Sequence, residues 1–128
     1  MDFSQSEIRR VWNKGVIVPH YHSDMVRKDA CGAWIIWSDY GKRESPFGWE
    51  IDHIYPKALY KLHNATNGDI DNIINLRPLH WKNNKSKGAH YPAYQASVKA
   101  DGDRNVDCLR TYEVNPEIQS RLKDFLHV

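Results

Sequence analysis

Short, punctuated apolar runs are what most restrict the folds open to this chain. Ala33-Trp34-Ile35-Ile36-Trp37 is rich in β-formers and is closed off by Gly32 on one side and the turn Asp39-Tyr40-Gly41-Lys42 on the other. A second strand, Phe47 to Asp52, can pair back onto it, and Pro56 limits how far that strand runs. Leu76 to Leu79 is a third short apolar segment, interrupted by Pro78. No run approaches the ~20 residues a membrane span needs. Several small elements must therefore share one modest core, and 128 residues suffice for a single domain spanning 1–128. With 41% apolar residues, 5 Trp, 7 Tyr and 3 Phe, the composition is that of a soluble globular chain and not of a disordered one.

Helix signals frame these strands. Ser4 and Glu7 have capping-box spacing, Ile8, Val11 and Trp12 follow on one face, and Gly15 ends the helix. Pro19-His20-Tyr21-His22 reads as irregular. Leu59 to Asn72 is polar and reads as a long loop with a helical turn around Ala58–Leu62. Trp81 to Lys87 reads as a helix stopped by Gly88. At the end, Asn115 as N-cap and Pro116 at the first position open a helix over 116–127, with Ile118, Leu122, Phe125 and Leu126 on one stripe as a packing buttress. The polar start MDFSQSEIRR shows no secretory signal. Cys31 and Cys108 are too few for a disulfide framework or a four-cysteine zinc site, so the expected compartment is the reducing cytoplasm.

The net charge of +2 is uninformative, but its distribution is not. From Asn72 to Ala100 there is no Asp or Glu, while Arg77, Lys82, Lys85, Lys87 and Lys99 all fall there. Asp69 and Asp71 lie just before this stretch, and Asp101, Asp103 and Asp107 just after. Such a segment is the footprint of a polyanion partner, or else a solvated helical face with counter-charges supplied in three dimensions.

Within it sits a set of residues able to do chemistry. Asp52 and His53 are neighbours on an extended chain, so their side chains leave on opposite faces and serve different partners. An aspartate at a strand end suits a hard cation such as Mg²⁺, which needs only one or two protein oxygens besides water and phosphate. A neutral histidine beside it can take a proton from water. Asn84 would add a neutral oxygen to the same ion, and Lys85 and Lys87 would follow on the same helix as phosphate contacts. Singly, an Asp-His dipeptide is usually structural and a lone Asn is usually a turn former. The weight lies in their order within one basic segment.

The stretch Gly48 to Gly88 resembles the core of the HNH endonucleases, the ββα-metal (His-Me finger) family, in Asp52-His53-Ile54-Tyr55-Pro56, Asn75-Leu76-Arg77-Pro78-Leu79 and Asn84-Lys85-Ser86-Lys87-Gly88. With the upstream Arg27 to Ala33 and Tyr40-Gly41, the resemblance covers roughly residues 9 to 90. It implies an α+β fold: two antiparallel strands and a helix around a metal, an upstream β-hairpin, and flanking N- and C-terminal helices. It further implies Asp52 and Asn84 as metal ligands, His53 as general base, and Asn75 as the residue that holds the loop and thereby His53 in place. Arg77, Lys82, Lys85 and Lys87 would contact double-stranded DNA. Glu50 and His80 would stand just behind the ligands, Glu50 orienting Arg77 or a lysine or else making a plain surface salt bridge, and His80 reaching toward the metal or simply packing. The expected chain is a monomer or homodimer with no membrane partner.

Three departures from the pattern matter. The loop between His53 and Asn75 lacks the usual Gly-Gly. Where relatives carry two Cys-x-x-Cys pairs on a structural zinc, this chain has Cys31 with Trp34 and His80 with Asn83, which is no zinc site; packing by Trp34, Trp37 and Trp81 is expected to replace it. Gly88 stands where some relatives have a further metal-binding histidine, which favours one Mg²⁺ or Mn²⁺. Two other function classes compete: a catalytically inactive nucleic-acid-binding module of the same fold, and a metal-stabilised structural domain.

Overall fold

The first helix forms where its cap predicts it. In the computed structural model, which describes residues 3–62 and 70–128, α1 spans Gln5–Trp12. Ser4 Oγ accepts from the Glu7 backbone N–H and Glu7 Oε1 accepts from the Ser4 N–H, so two orphan donors are satisfied reciprocally. Its buried face, Ile8, Val11 and Trp12, packs with Ile35, Trp49 and Leu76 into one apolar cluster. At the helix end the Lys14 ammonium donates to the carbonyls of Ile73 and Leu76, and burial pushes its amine down to about 8.

Two short strands follow, β1 (Val26–Lys28) and β2 (Trp34–Ile36), as an antiparallel hairpin. The sequence reading paired 33–37 with 47–52 instead. Between those segments the structure keeps the Ile36 N–H donating to the Phe47 carbonyl at 3.2 Å, and the ladder goes to β1. The reason lies in Arg27, whose buried guanidinium donates to the carbonyls of Ser23, Asn13 and Gly15 and so draws the irregular segment and β1 against the body.

β3 (Trp49–His53) pairs with β4 (Leu76–His80) in the register Trp49↔His80, Ile51↔Pro78, Asp52↔Arg77 and His53↔Leu76. A two-stranded sheet has an open edge on each strand, which is why Pro78, lacking an N–H, is tolerated inside β4. Gly48 leads into β3 because a Cβ there would lie 1.9 Å from the Lys42 carbonyl oxygen. β4 runs directly into α3 (Trp81–Lys87), and α2 (Lys57–Leu62) supplies the helical turn expected after Pro56. Residues 63–69 of the expected long loop lie outside the described residues.

An element absent from the sequence reading completes the body. β5 (Ala93–Asp101) and β6 (Arg104–Glu113) form a long antiparallel hairpin that turns at Gly102, φ +64°. Tyr94, Ala96 and Val98 face inward, and a register irregularity falls between Ala96 and Val98. There Asn83 of α3 inserts its amide: Oδ1 accepts from the Ser97 and Val98 N–H groups while Nδ2 donates to the Val98 carbonyl. α4 (Pro116–Leu126), capped by Asn115, lays Leu122 and Leu126 on the second apolar cluster with Ile54, Tyr55, Leu79 and Tyr94. Among the described residues the fold is thus α+β, with four α-helices and three two-stranded antiparallel sheets. No helix among them is long and apolar enough to cross a membrane.

What joins the Cys31 and His80 positions is a carboxylate, not the expected tryptophan packing. Asp29, 1% exposed, accepts from the Cys31 and Ala33 N–H groups at Oδ1 and from the His80 N–H and Asn83 Nδ2 at Oδ2. Four donors on one buried carboxylate staple the β1–β2 connection to the start of α3. Trp34 instead donates its ring N–H to Gly102, and Trp81, half-buried, donates to Ser45. Asp29→Ala should lower the unfolding free energy by roughly 3 kcal/mol or more, because buried donors lose their acceptor. Asp29→Asn should fall between the two. Urea unfolding checks this, and an alanine variant within about 0.5 kcal/mol of the parent contradicts the staple.

Candidate functional site

Alternation along β3 separates two faces. Glu50 and Asp52 share the face toward α3, and Ile51 and His53 share the other. His53 lies at the strand's C-terminal end, where both faces open into one cleft. A hollow of about 390 Å³ lined by Phe3, Glu50, Ile51, His53, Lys57 and Asn84 adjoins one of about 240 Å³ lined by Asp52, His53, Pro56, Lys57, Asn84 and Gly88. The structure therefore brings Asp52, His53 and Asn84 to one place from β3 and α3.

Each side chain there is held by named partners. Asn75, fully buried, accepts from the Tyr55 N–H at Oδ1 and donates through Nδ2 to the Tyr55 and Ile70 carbonyls. Its own carbonyl accepts from Ile54, so the chain just after His53 is tied to the start of β4. Glu50 takes a two-pronged bond from Arg43 at 2.7 and 3.0 Å and a third from Asn84 Nδ2 at 2.9 Å. Burial alone would raise the Glu50 carboxyl, but the bonds from Arg43 and Asn84 and the Arg43 charge outweigh it and hold the carboxyl below its ordinary range. Because Asn84 Nδ2 donates to Glu50, its Oδ1 is the amide atom able to accept from or coordinate a ligand. Glu50 thus pairs with Arg43 and Asn84: of the two roles open to it in the sequence, the salt bridge holds and the pairing with Arg77 or a lysine does not.

Asp52 is buried between two cations. Arg77 Nε donates to Oδ2 at 2.9 Å, and Lys87 Nζ lies 3.3 Å from Oδ1 and donates to the His53 carbonyl at 3.2 Å. The Lys87 side chain is 0% exposed and that of Arg77 10%. Burial pushes the Lys87 amine below its usual range, and the Asp52 carboxylate opposes that shift. These two cations are therefore interior counter-charges and not the DNA contacts the sequence suggested. Register explains it: Arg77 stands directly across the ladder from Asp52, and Lys87, one helical turn after Asn84, faces the same side. Lys82 and Lys85 are exposed on α3 as expected.

His53 Nε2 lies 2.7 Å from Asp71 Oδ1, and Lys57 Nζ approaches the same oxygen at 3.7 Å. A carboxylate only accepts, so Nε2 carries a proton, and in the neutral ring the lone pair sits on Nδ1. Asp71 and Lys57 were missed in the sequence. Lys57 follows His53 by four residues on α2, but nothing local links Asp71 to a histidine 18 positions earlier. His80 does not reach the cleft. Its Nδ1 caps α3 by accepting from Lys82, its Nε2 donates to the Pro46 carbonyl, and burial holds its ring below the ordinary histidine range.

The donors suit a hard divalent ion in kind: a carboxylate at Asp52, a neutral oxygen at Asn84, and room for water and phosphate. Each Asp52 oxygen keeps a second lone pair beside its cation. Among the described residues no group of three or more His, Cys, Asp or Glu side chains could hold a metal, so protein ligation would rest on Asp52 and Asn84. Compared with protein-family models, curated proteins and solved structures, the chain matches none.

The buried charges make a stability contrast. Lys87→Met should cost roughly 3 kcal/mol by leaving Asp52 short of a counter-charge, whereas Lys85→Ala should stay within about 0.5 kcal/mol of the parent. Urea unfolding of both variants checks the assignment, and a Lys87 variant as stable as the parent contradicts it.

Proposed function

We propose that this chain is a divalent-metal-dependent endonuclease of the HNH type, with β3, β4 and α3 as its ββα-metal core, hydrolysing DNA phosphodiester bonds. The observation that carries the reading is the state of His53. Its ring is fixed through Nε2, which leaves Nδ1 as a base, in the cleft that also holds Asp52 and the free amide oxygen of Asn84.

The resemblance to the HNH endonucleases implies which bond breaks and which ends result, and the groups in the cleft account for the rest. A water donates its proton to His53 Nδ1 as its oxygen bonds to phosphorus, and the bond from phosphorus to the 3′ oxygen breaks. That oxygen takes a proton from solvent, leaving 5′-phosphate and 3′-hydroxyl ends. Asp52 and Asn84 would hold Mg²⁺ or Mn²⁺, whose charge stabilises the phosphoryl and leaving oxygens. Asn75 keeps His53 in register with the cleft. Lys82 and Lys85, with Lys57 at the cleft wall, supply sequence-independent attraction to the backbone.

One observation favours a second reading. Both Asp52 oxygens already face cations, as they would in a nucleic-acid-binding module that keeps the fold without catalysis. Incubation with supercoiled plasmid separates the two. The endonuclease reading predicts nicked or linear product with Mg²⁺ or Mn²⁺, none with EDTA, and a rate roughly 10²–10⁴-fold lower for His53→Ala. Plasmid retained on the protein but uncut in every metal overturns it in favour of the binding module.

A further inference from the structure

The geometry points to Asp71 as the positioning residue of the His53 base, a role that rests on the nuclease reading above. Among the described residues, three contacts besides its ladder pairing with Leu76 hold His53. Lys87 donates to its carbonyl, the Phe3 ring packs against its ring at 6.5 Å between centroids, and Asp71 accepts from Nε2 at 2.7 Å. Only the last can choose the tautomer. A backbone or packing contact sets where the ring lies, but a carboxylate on Nε2 also dictates that Nδ1 is the unprotonated nitrogen.

Asp71 is itself placed for this. It follows the buried Ile70, whose carbonyl is held by Asn75 Nδ2, and Lys57 Nζ lies 3.7 Å from its Oδ1. Asn75 therefore anchors both halves of the pair, since it also holds Tyr55, two residues after His53. Asp71 and His53 are both about four-fifths covered, their side chains 21% and 17% exposed, so water competes weakly for the bond.

The test combines a spectrum with kinetics. In protein labelled with ¹⁵N-histidine, at a pH where the ring is neutral, long-range ¹H–¹⁵N correlation should show His53 as the Nε2–H tautomer. Asp71→Asn, whose amide can donate to Nε2 as well as accept, should shift it to a mixture or to the Nδ1–H form. The single-turnover cleavage rate should then fall roughly 10- to 10³-fold, with DNA affinity unchanged and Asp71→Glu recovering part of the loss. A wild-type chain that cuts DNA while Asp71→Asn keeps its rate, or keeps its tautomer, overturns the positioning role and leaves the nuclease reading standing. A wild-type chain that cuts nothing overturns the nuclease reading and the positioning role with it, even where the spectrum shows the Nε2–H ring.

Discussion

Asp52 receives Arg77 from β4 and Lys87 from the last turn of α3, so a single buried carboxylate ties the strand that carries it to the two elements that follow it in the core. Such an arrangement is costly to create, because three charges leave water, and costlier to break, because any one partner removed strands the others. It also reaches His53 directly, since Lys87 donates to the carbonyl of that residue. The position of the imidazole therefore depends on the same ion cluster that holds β3, β4 and α3 together. Arg77 also sets its guanidinium over the Tyr94 ring at 5.1 Å, and among the described residues its Nη2 nitrogen has no hydrogen-bond partner.

A second carboxylate does comparable work at the other end of α3. Asp29 collects donors from the β1–β2 connection, from His80 and from Asn83, and Asn83 passes the constraint on to β5. The helix is thus pinned near its N-terminus by Asp29 and at its C-terminus by Asp52. Only seven residues long, α3 would be marginal by itself, and side-chain bonds to buried acids account for its fixed orientation. That orientation turns Asn84 toward Glu50 and leaves its amide oxygen in the cleft.

Much of this was legible where a local rule operates. Capping-box spacing marked α1, Asn115-Pro116 marked α4, and Gly88 marked the end of α3. The order Asp52, His53, Asn75, Asn84 located the cleft. The β5–β6 hairpin does not stand out although Asp101-Gly102 is a turn signal, because β6 buries no residue fully, its apolar Val106, Cys108, Leu109 and Tyr112 do not alternate cleanly, and the inward positions of β5 include a small residue, Ala96. β1 offers one apolar residue next to Arg27 and Lys28 and is specified by the long-range reach of Arg27. Charge was the least transparent property. A lysine at position 85 and one at 87 look alike in a basic run, yet the first is solvated and the second buried, because the turn of α3 aims Lys87 and not Lys85 at Asp52.

Whether the Asp52–Asn84 pair holds a divalent ion, with His53 outside the ligand set, is decided most directly by titrating Mn²⁺ and following the free ion by electron paramagnetic resonance. The account predicts one bound ion per chain in the parent and in His53→Ala, with binding clearly weakened in Asn84→Ala, where the free amide oxygen is lost. Binding that survives in Asn84→Ala but disappears in His53→Ala would contradict the assignment of ligand and base on which the mechanism rests.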